Sequence, residues 1–434
     1  MDFDPDAEFV DATSQVASTS LPSLPNVRSL LATGLPLLES LPPLTACNYL
    51  NVARCPALAS LPTLAACTKF TANGCTSLTA LVAMTNCRYV DVRDCTALET
   101  ILGLGLAFKL YAKGCSVLAT LPNLSQCLYL DISDCPLVTT VTNLTNLCQH
   151  LIARNCVALS STLTLSKAWW VDLTGCTSLT TLSTLTVLRE LSIRGCTGIT
   201  GLPTVGELLK LDAKDSGLTS LPALPKVTEL DVSGSVGLVT LPDLPLAKSV
   251  KADGCTALTT VTGVATATGV SLVDCTSLVT LPDMDSAKSL AVDGCTALTT
   301  LPAVDVATRV TAVGCTALDT IPTLPEVLFL DLRDCTALTA LPDAPKVTEL
   351  RIAGTNLVED WIDERLEPLL TATGKTVEEV LATGCWNCHS SNNCPMYVVF
   401  GVSAVADIPE EWRYDAAIFV PLFDAGLIPE PEVV

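Results

Sequence analysis

A chain of 434 residues would ordinarily divide into two or three globular domains. Hydrophobic residues make up 49% of this one but aromatic residues only 4%, which excludes a core built around large rings. The formal charge of −21 excludes a nucleic-acid groove, which must be net positive to release counterions from phosphate.

The first segment, residues 1–20, holds five acids and no bases. It is acidic where an export signal would be basic and then apolar, and no later apolar run approaches the length of a membrane span. A cytoplasmic chain without membrane insertion is expected. From residue 21 to residue 357 a twenty-residue phrase repeats, as in Leu290-Ala-Val-Asp-Gly-Cys295 and Leu330-Asp-Leu-Arg-Asp-Cys335. Its last position is Cys55, Cys75, Cys95, Cys115, Cys135, Cys156, Cys176, Cys196, Cys255, Cys275, Cys295, Cys315 and Cys335, with Leu35, Ser216, Ser235 and Thr355 completing seventeen repeats. A fixed period of this length predicts a solenoid, in which no unit buries its own apolar face and neighbours must stack.

Within residues 290–309, Leu290 and Val292 alternate with Ala291 and Asp293, which predicts a short strand. Leu298 and Leu301 return to the same core after a turn at Gly294 and Cys295, and Pro302 fixes an extended segment beyond them. Twenty residues leave no room for a helix, so the outer side is expected to be extended or a short 3₁₀ turn. The stacked strands then form a parallel sheet at about 4.8 Å spacing. Five more cysteines (Cys47, Cys67, Cys87, Cys127 and Cys148) each lie eight residues before one of the series, at a position that is Ala or Val in repeats such as those of Val227, Ala247, Ala287 and Ala307. Free cysteine behaves as a small hydrophobe, so both registers read as buried packing thiols in a reducing compartment.

The phrase L-x-x-L-x-V-x-x-C/N-x-x-L-x-x-L-P resembles the leucine-rich repeat over about three-quarters of the chain. The wording Gly-Cys-Thr-Ser-Leu-Thr-Thr-Leu at 175–182 and Asp-Cys-Thr-Ala-Leu-Thr-Ala-Leu-Pro at 334–342 resembles plant intracellular immune receptors. The Leu-Pro-x-Leu-Pro of 221–225 and 241–245 resembles bacterial effector repeats. The resemblance implies a parallel sheet on a concave face, extended or 3₁₀ convex segments and a small α+β cap at the C-terminus.

The residue before each strand's first leucine should face outward on that concave sheet. In order it is Tyr49, Lys69, Tyr89, Lys109, Tyr129, His150, Trp170, Glu190, Lys210 and Glu229. The next outward register adds Asn51, Asp91, Tyr111, Asp131 and Asp172, and the third adds Arg93, Lys113, Arg154 and Arg194. Tyrosine, tryptophan and arginine dominate binding hot spots, and a solenoid commonly binds on its concave surface. A protein partner on Tyr49, Lys69, Tyr89, Arg93, Lys109, Tyr111, Lys113, Tyr129, His150, Arg154, Trp170 and Arg194 is therefore expected. The alternative is a ladder that only stabilises the sheet. The same face is plainer further on, at Ser249, Gly269, Ser289, Ala291 and Thr311.

Residues 358–434 carry a charge of −11 and break the repeat. The stretch Val358-Glu-Asp-Trp-Ile-Asp-Glu-Arg-Leu-Glu-Pro-Leu-Leu370 predicts an amphipathic capping helix, with a second near Thr376. Cys385, Cys388, His389 and Cys394 have zinc-ligand chemistry, although adjacent Cys388 and His389 do not easily reach one tetrahedral ion. The Cys-x-x-Cys-His phrase also matches c-type haem attachment, and free thiols in a loop are the third reading. No cofactor is otherwise expected, and no nucleophile–base constellation or phosphate loop is found. Two further function classes stand beside non-enzymatic recognition. One is the ubiquitin-ligase activity that the bacterial resemblance implies, with Cys385 or Cys388 as nucleophile and only 77 residues to house it. The other is a structural component of a particle or cell surface.

Overall fold

The structure is a computed structural model, and it describes residues 7–356 apart from 142–143, 145–147, 161–164, 184 and 353. The chain divides into two compact units, Met1–Leu224 and Pro225–Val434. In each, the described residues form a parallel β-solenoid built from one recurring coil. The first unit carries, among the described residues, eleven main strands, from Phe9–Asp11 to Lys210–Asp212, and the second carries seven, from Glu229–Asp231 to Glu349–Arg351. Among the described residues the chain forms no helix. The expected capping helices and the Cys385, Cys388, His389 and Cys394 cluster lie outside the described residues.

The coil at 290–309 shows why the phrase folds as it does. The strand Ser289–Ala291 buries its middle residue, Leu290, and turns its flanks outward. It pairs in register with the next coil, Ser289 beside Arg309 and Ala291 beside Thr311. Val292, Cys295, Leu298, Val304 and Ala307 close the core behind it and are fully buried. At Gly294 the backbone turns with φ of 72°. A Cβ there would run into the carboxylate of Asp274 in the preceding coil, which favours glycine twice over. The outer side is extended as expected. It closes with a turn in which the Ala307 N–H donates to the Val304 carbonyl at 3.1 Å. Two further pairs of short strands form there, Ala80–Leu81 with Thr100–Ile101 and Thr240–Leu241 with Thr260–Val261.

The sheet begins before the recognisable phrase. Phe9–Asp11 pairs with Ser29–Leu31, burying Val10 and Ala12 inside what the sequence presents as an acidic lead-in. A valine and an alanine two apart supply the strand periodicity there, while the marker cysteine and its leucines are missing.

The cysteine register does more than fill space. All thirteen members donate Sγ–H to a backbone carbonyl of the preceding coil at 2.9–3.2 Å. The Ala72 carbonyl is representative: it accepts the Cys75 N–H at 3.2 Å within its own coil and the Cys95 thiol at 3.1 Å from the next. The thiol thus occupies a second lone pair and staples coil to coil. The cysteines are buried packing thiols, as expected, that also donate, and Ser216, Ser235 and Thr355 keep a hydroxyl at the same position. The Thr355 hydroxyl donates within its own coil, to the Ile352 carbonyl at 2.8 Å. The companion register behaves alike on a shorter loop, with Cys47, Cys67, Cys87, Cys127 and Cys148 each donating to the carbonyl two residues on. Cys95→Ala is expected to cost about 1–2 kcal/mol from the lost bond and the small void, and Cys95→Ser distinctly less. Urea midpoints of the two variants measure this, and an equal or larger loss for serine would reduce the thiol to a filler.

Candidate functional site

In the first unit, in-register pairing sets Tyr89 beside Lys109, Lys109 beside Tyr129, Tyr129 beside His150 and His150 beside Trp170. These side chains are half-buried, apart from the exposed Lys109. Five rings form one chain across them. The centroids of Tyr89 and Tyr111 are 5.5 Å apart, Tyr111 and Tyr129 4.8 Å, Tyr129 and His150 5.9 Å, and His150 and Trp170 6.2 Å, all tilted. These lie within the range of favourable offset or edge contacts. Tyr111 makes the chain continuous. It stands on the Lys109 strand, in the middle register, and carries the stack across the one strand whose first outward residue is not aromatic.

The cations take several places. The Lys69 Nζ lies between two rings, 4.9 Å from the Tyr49 centroid and 5.5 Å from that of Tyr89. Arg93 lies 5.8 Å from the Tyr111 ring. Lys113 is 3.8 Å from Asp134 on a turn, and among the described residues Lys109 contacts no ring. The sequence places Arg93, Arg154 and Arg194 as cations at the edge of the patch, but each is committed to an aspartate. Arg93 donates from Nε and Nη2 to Asp91 at 2.9 and 2.7 Å, Arg154 Nε to Asp172 at 2.6 Å, and Arg194 Nη2 lies 3.2 Å from Asp212. The site is therefore far less cationic than its arginine count suggests.

The aspartates have a structural cause. Asp91 and Asp172 are 2% and 5% exposed, and carboxylates buried so deeply require partners. Each first accepts the N–H two residues along, from Arg93 at 3.3 Å and Thr174 at 3.0 Å, and Asp131 does the same with Ser133 at 3.0 Å. This is an Asx-turn that ends the strand. Asp172 then holds Arg154 with its other oxygen, while Asp91 takes Arg93 with both. Burial, with Asp91 or Asp131 nearby, raises the Tyr89, Tyr111 and Tyr129 phenols above their ordinary pKa. All three are thus O–H donors at neutral pH.

Where the ring chain ends at Trp170, the sheet carries a hollow of about 360 Å³. It is lined by Arg154, Trp170, Asp172, Thr174, Glu190, Leu191, Ser192, Arg194, Lys210 and Asp212. Thr174 and Ser192 hydroxyls meet at 3.0 Å on its floor. Of these residues, the register reading of the sequence selects only Arg154, Trp170 and Arg194 as a site. The aspartates that end the strands at Asp172 and Asp212 are the signal in the sequence for two of the others. The second unit has a ring centre of its own that the plain register did not suggest. Arg309 lies 3.8 Å and Arg351 5.1 Å from the Phe329 centroid, and Arg333 is held by Asp331 at 2.8 Å. Among the described residues no group of three metal-ligating side chains is found, and no helix is long and apolar enough to cross a membrane.

No family model matches the chain, and no curated protein matches it. Among solved structures it is similar to a leucine-rich repeat protein from Bacteroides ovatus, at 14% identity and a TM-score of 0.34, over 70% of this chain and 78% of that one. It is also similar to the functional domain of InlJ from Listeria monocytogenes, described as including a cysteine ladder, at 19% identity and a TM-score of 0.21. That match spans 65% of this chain and 59% of the InlJ domain.

Proposed function

We propose that the chain is a non-enzymatic recognition solenoid that takes a protein partner on the sheet face of its first unit. The single observation that carries this reading is the unbroken chain of five rings from Tyr89 to Trp170. A sheet that needed only stability would be served by cross-strand pairs within one register. Here Tyr111 leaves that register to keep apolar, rigid, hydrogen-bonding surface continuous across five strands. Such rings supply contact area at low entropic cost, and the paired arginines and aspartates around them give a polar rim of mixed charge. A partner with a mixed-charge surface fits this rim better than a strongly acidic one. A reducing compartment such as the cytoplasm suits the eighteen free thiols found among the described residues.

Tyr111 and Tyr129 point away from the core, so replacing either with alanine should leave the fold near its original stability. Affinity for the partner captured by the full chain should fall by more than about 1 kcal/mol for at least one of them, as for a hot-spot residue. Binding measured beside a control pair, Ser289→Ala and Thr311→Ala, decides the matter. Unchanged affinity for both tyrosine variants would reduce the ring chain to sheet stabilisation.

A further inference from the structure

The hollow at the end of the ring chain has a chemistry that protein recognition does not require. Its charged side chains cancel, with Arg154, Arg194 and Lys210 against Asp172, Glu190 and Asp212. A site balanced in this way has no electrostatic preference for an anion or a cation. It is nevertheless dense in hydrogen-bonding groups. Each guanidinium has five N–H donors and its aspartate engages only one or two, while the carboxylates and the Thr174 and Ser192 hydroxyls add acceptors within the same hollow. One wall is the Trp170 indole, backed on one side by His150. The volume of about 360 Å³ falls in the small-ligand range.

An aromatic wall, planar donor–acceptor pairs and zero net charge together suit a ligand that has a C–H-rich face and a rim of hydroxyl groups. We propose that this hollow binds a neutral saccharide, one ring against Trp170 and its hydroxyls shared between the Arg154–Asp172 and Arg194–Asp212 pairs. The comparable hollow of the second unit lacks this combination. Its charged lining residues are Lys251 and Arg309, and no ring stands in its wall. The proposal shares Trp170 with the ring chain but not Tyr89, Tyr111 or Tyr129, so the ring chain could serve a protein while the hollow stayed empty, or the reverse.

The test uses the full chain on an array of neutral oligosaccharides (β-glucans, mannans, xylans, galactans and chitooligosaccharides) together with uronate and sulfated ones. Saturation-transfer NMR then follows each saccharide retained. The expected result is binding of a neutral saccharide that weakens at least tenfold in Trp170→Ala and in Arg194→Ala and is partly kept in Trp170→Phe. Ser289→Ala in the second unit should not change it. Circular dichroism melts of the same samples show that the variants remain folded. No retained neutral saccharide, a preference for the charged ones, or binding untouched by Trp170→Ala would each overturn the proposal. Tyr111→Ala and Tyr129→Ala report on the protein partner alone, so the two readings fail separately.

Discussion

Alkali should unfold this solenoid between about pH 9 and pH 11, long before an ordinary core of leucine and valine would respond. The cause is the ladder of buried thiols. Burial pushes the pKa of Cys75, Cys95, Cys135 and Cys255 up to about 12, and of Cys156 and Cys196 up to about 11. In the unfolded chain a cysteine ionises near pH 8.5. A folded-state pKa raised above the unfolded one contributes stability that is whole below the unfolded value and is lost as pH climbs toward the folded one. Within that window each thiol removes about 1.4 kcal/mol per pH unit, so these six alone remove about 8. A typical domain has only about 5–15 kcal/mol in reserve. The raised tyrosines of the ring chain add to the effect with the same sign. In the presence of reductant, thiolate absorbance and loss of the circular dichroism signal should rise together over the same pH range. Thiolates that formed near pH 9 with the sheet signal intact would show that water reaches the ladder in the folded state.

The twenty-residue echo makes most of this fold readable because every coil repeats one solution to one packing problem. Leu290 and Val292, two apart, mark a strand and the side it buries, and Cys295 marks the turn after it. The outward register is legible for the same reason, since period two leaves no choice of face once Leu290 is inside. What the echo does not carry is where a long side chain goes after leaving the sheet. Arg93 could have reached solvent, yet Asp91, two residues earlier, ends its strand with an Asx-turn and takes the guanidinium with both oxygens. Arg154 finds its aspartate in the next coil, eighteen residues on. Tyr111 reads as one more outward residue of the middle register, and only its place between Tyr89 and Tyr129 shows it to be the bridge. The thiol ladder is half legible: the small apolar residues of the companion register mark buried sites, but the spacing does not show that each main-register thiol faces a carbonyl of the preceding coil.

Replacing Phe70 with alanine should damage the array locally and deeply. Phe70 fills the strand-centre position that is Leu50 in the coil before and Val90 in the coil after, and it is fully buried. Its removal leaves a cavity worth about 3–5 kcal/mol. In a globular domain that loss would be shared by the whole structure. In a solenoid each coil contacts only its neighbours, so stability is close to a sum of coil and interface contributions. Hydrogen exchange should accelerate over the strands from Tyr49–Asn51 to Tyr89–Asp91 while Gly269–Ser271 and Ser289–Ala291 in the second unit keep their protection. Phe70→Leu, which restores the residue most other coils use, should cost less than about 1.5 kcal/mol and leave the exchange pattern nearly unchanged. Mass-spectrometric exchange on the full-length variants reads both outcomes. If Phe70→Ala instead raised exchange equally in both units, the coils would be coupled over far more than nearest neighbours, and the array would have to be treated as one cooperative body.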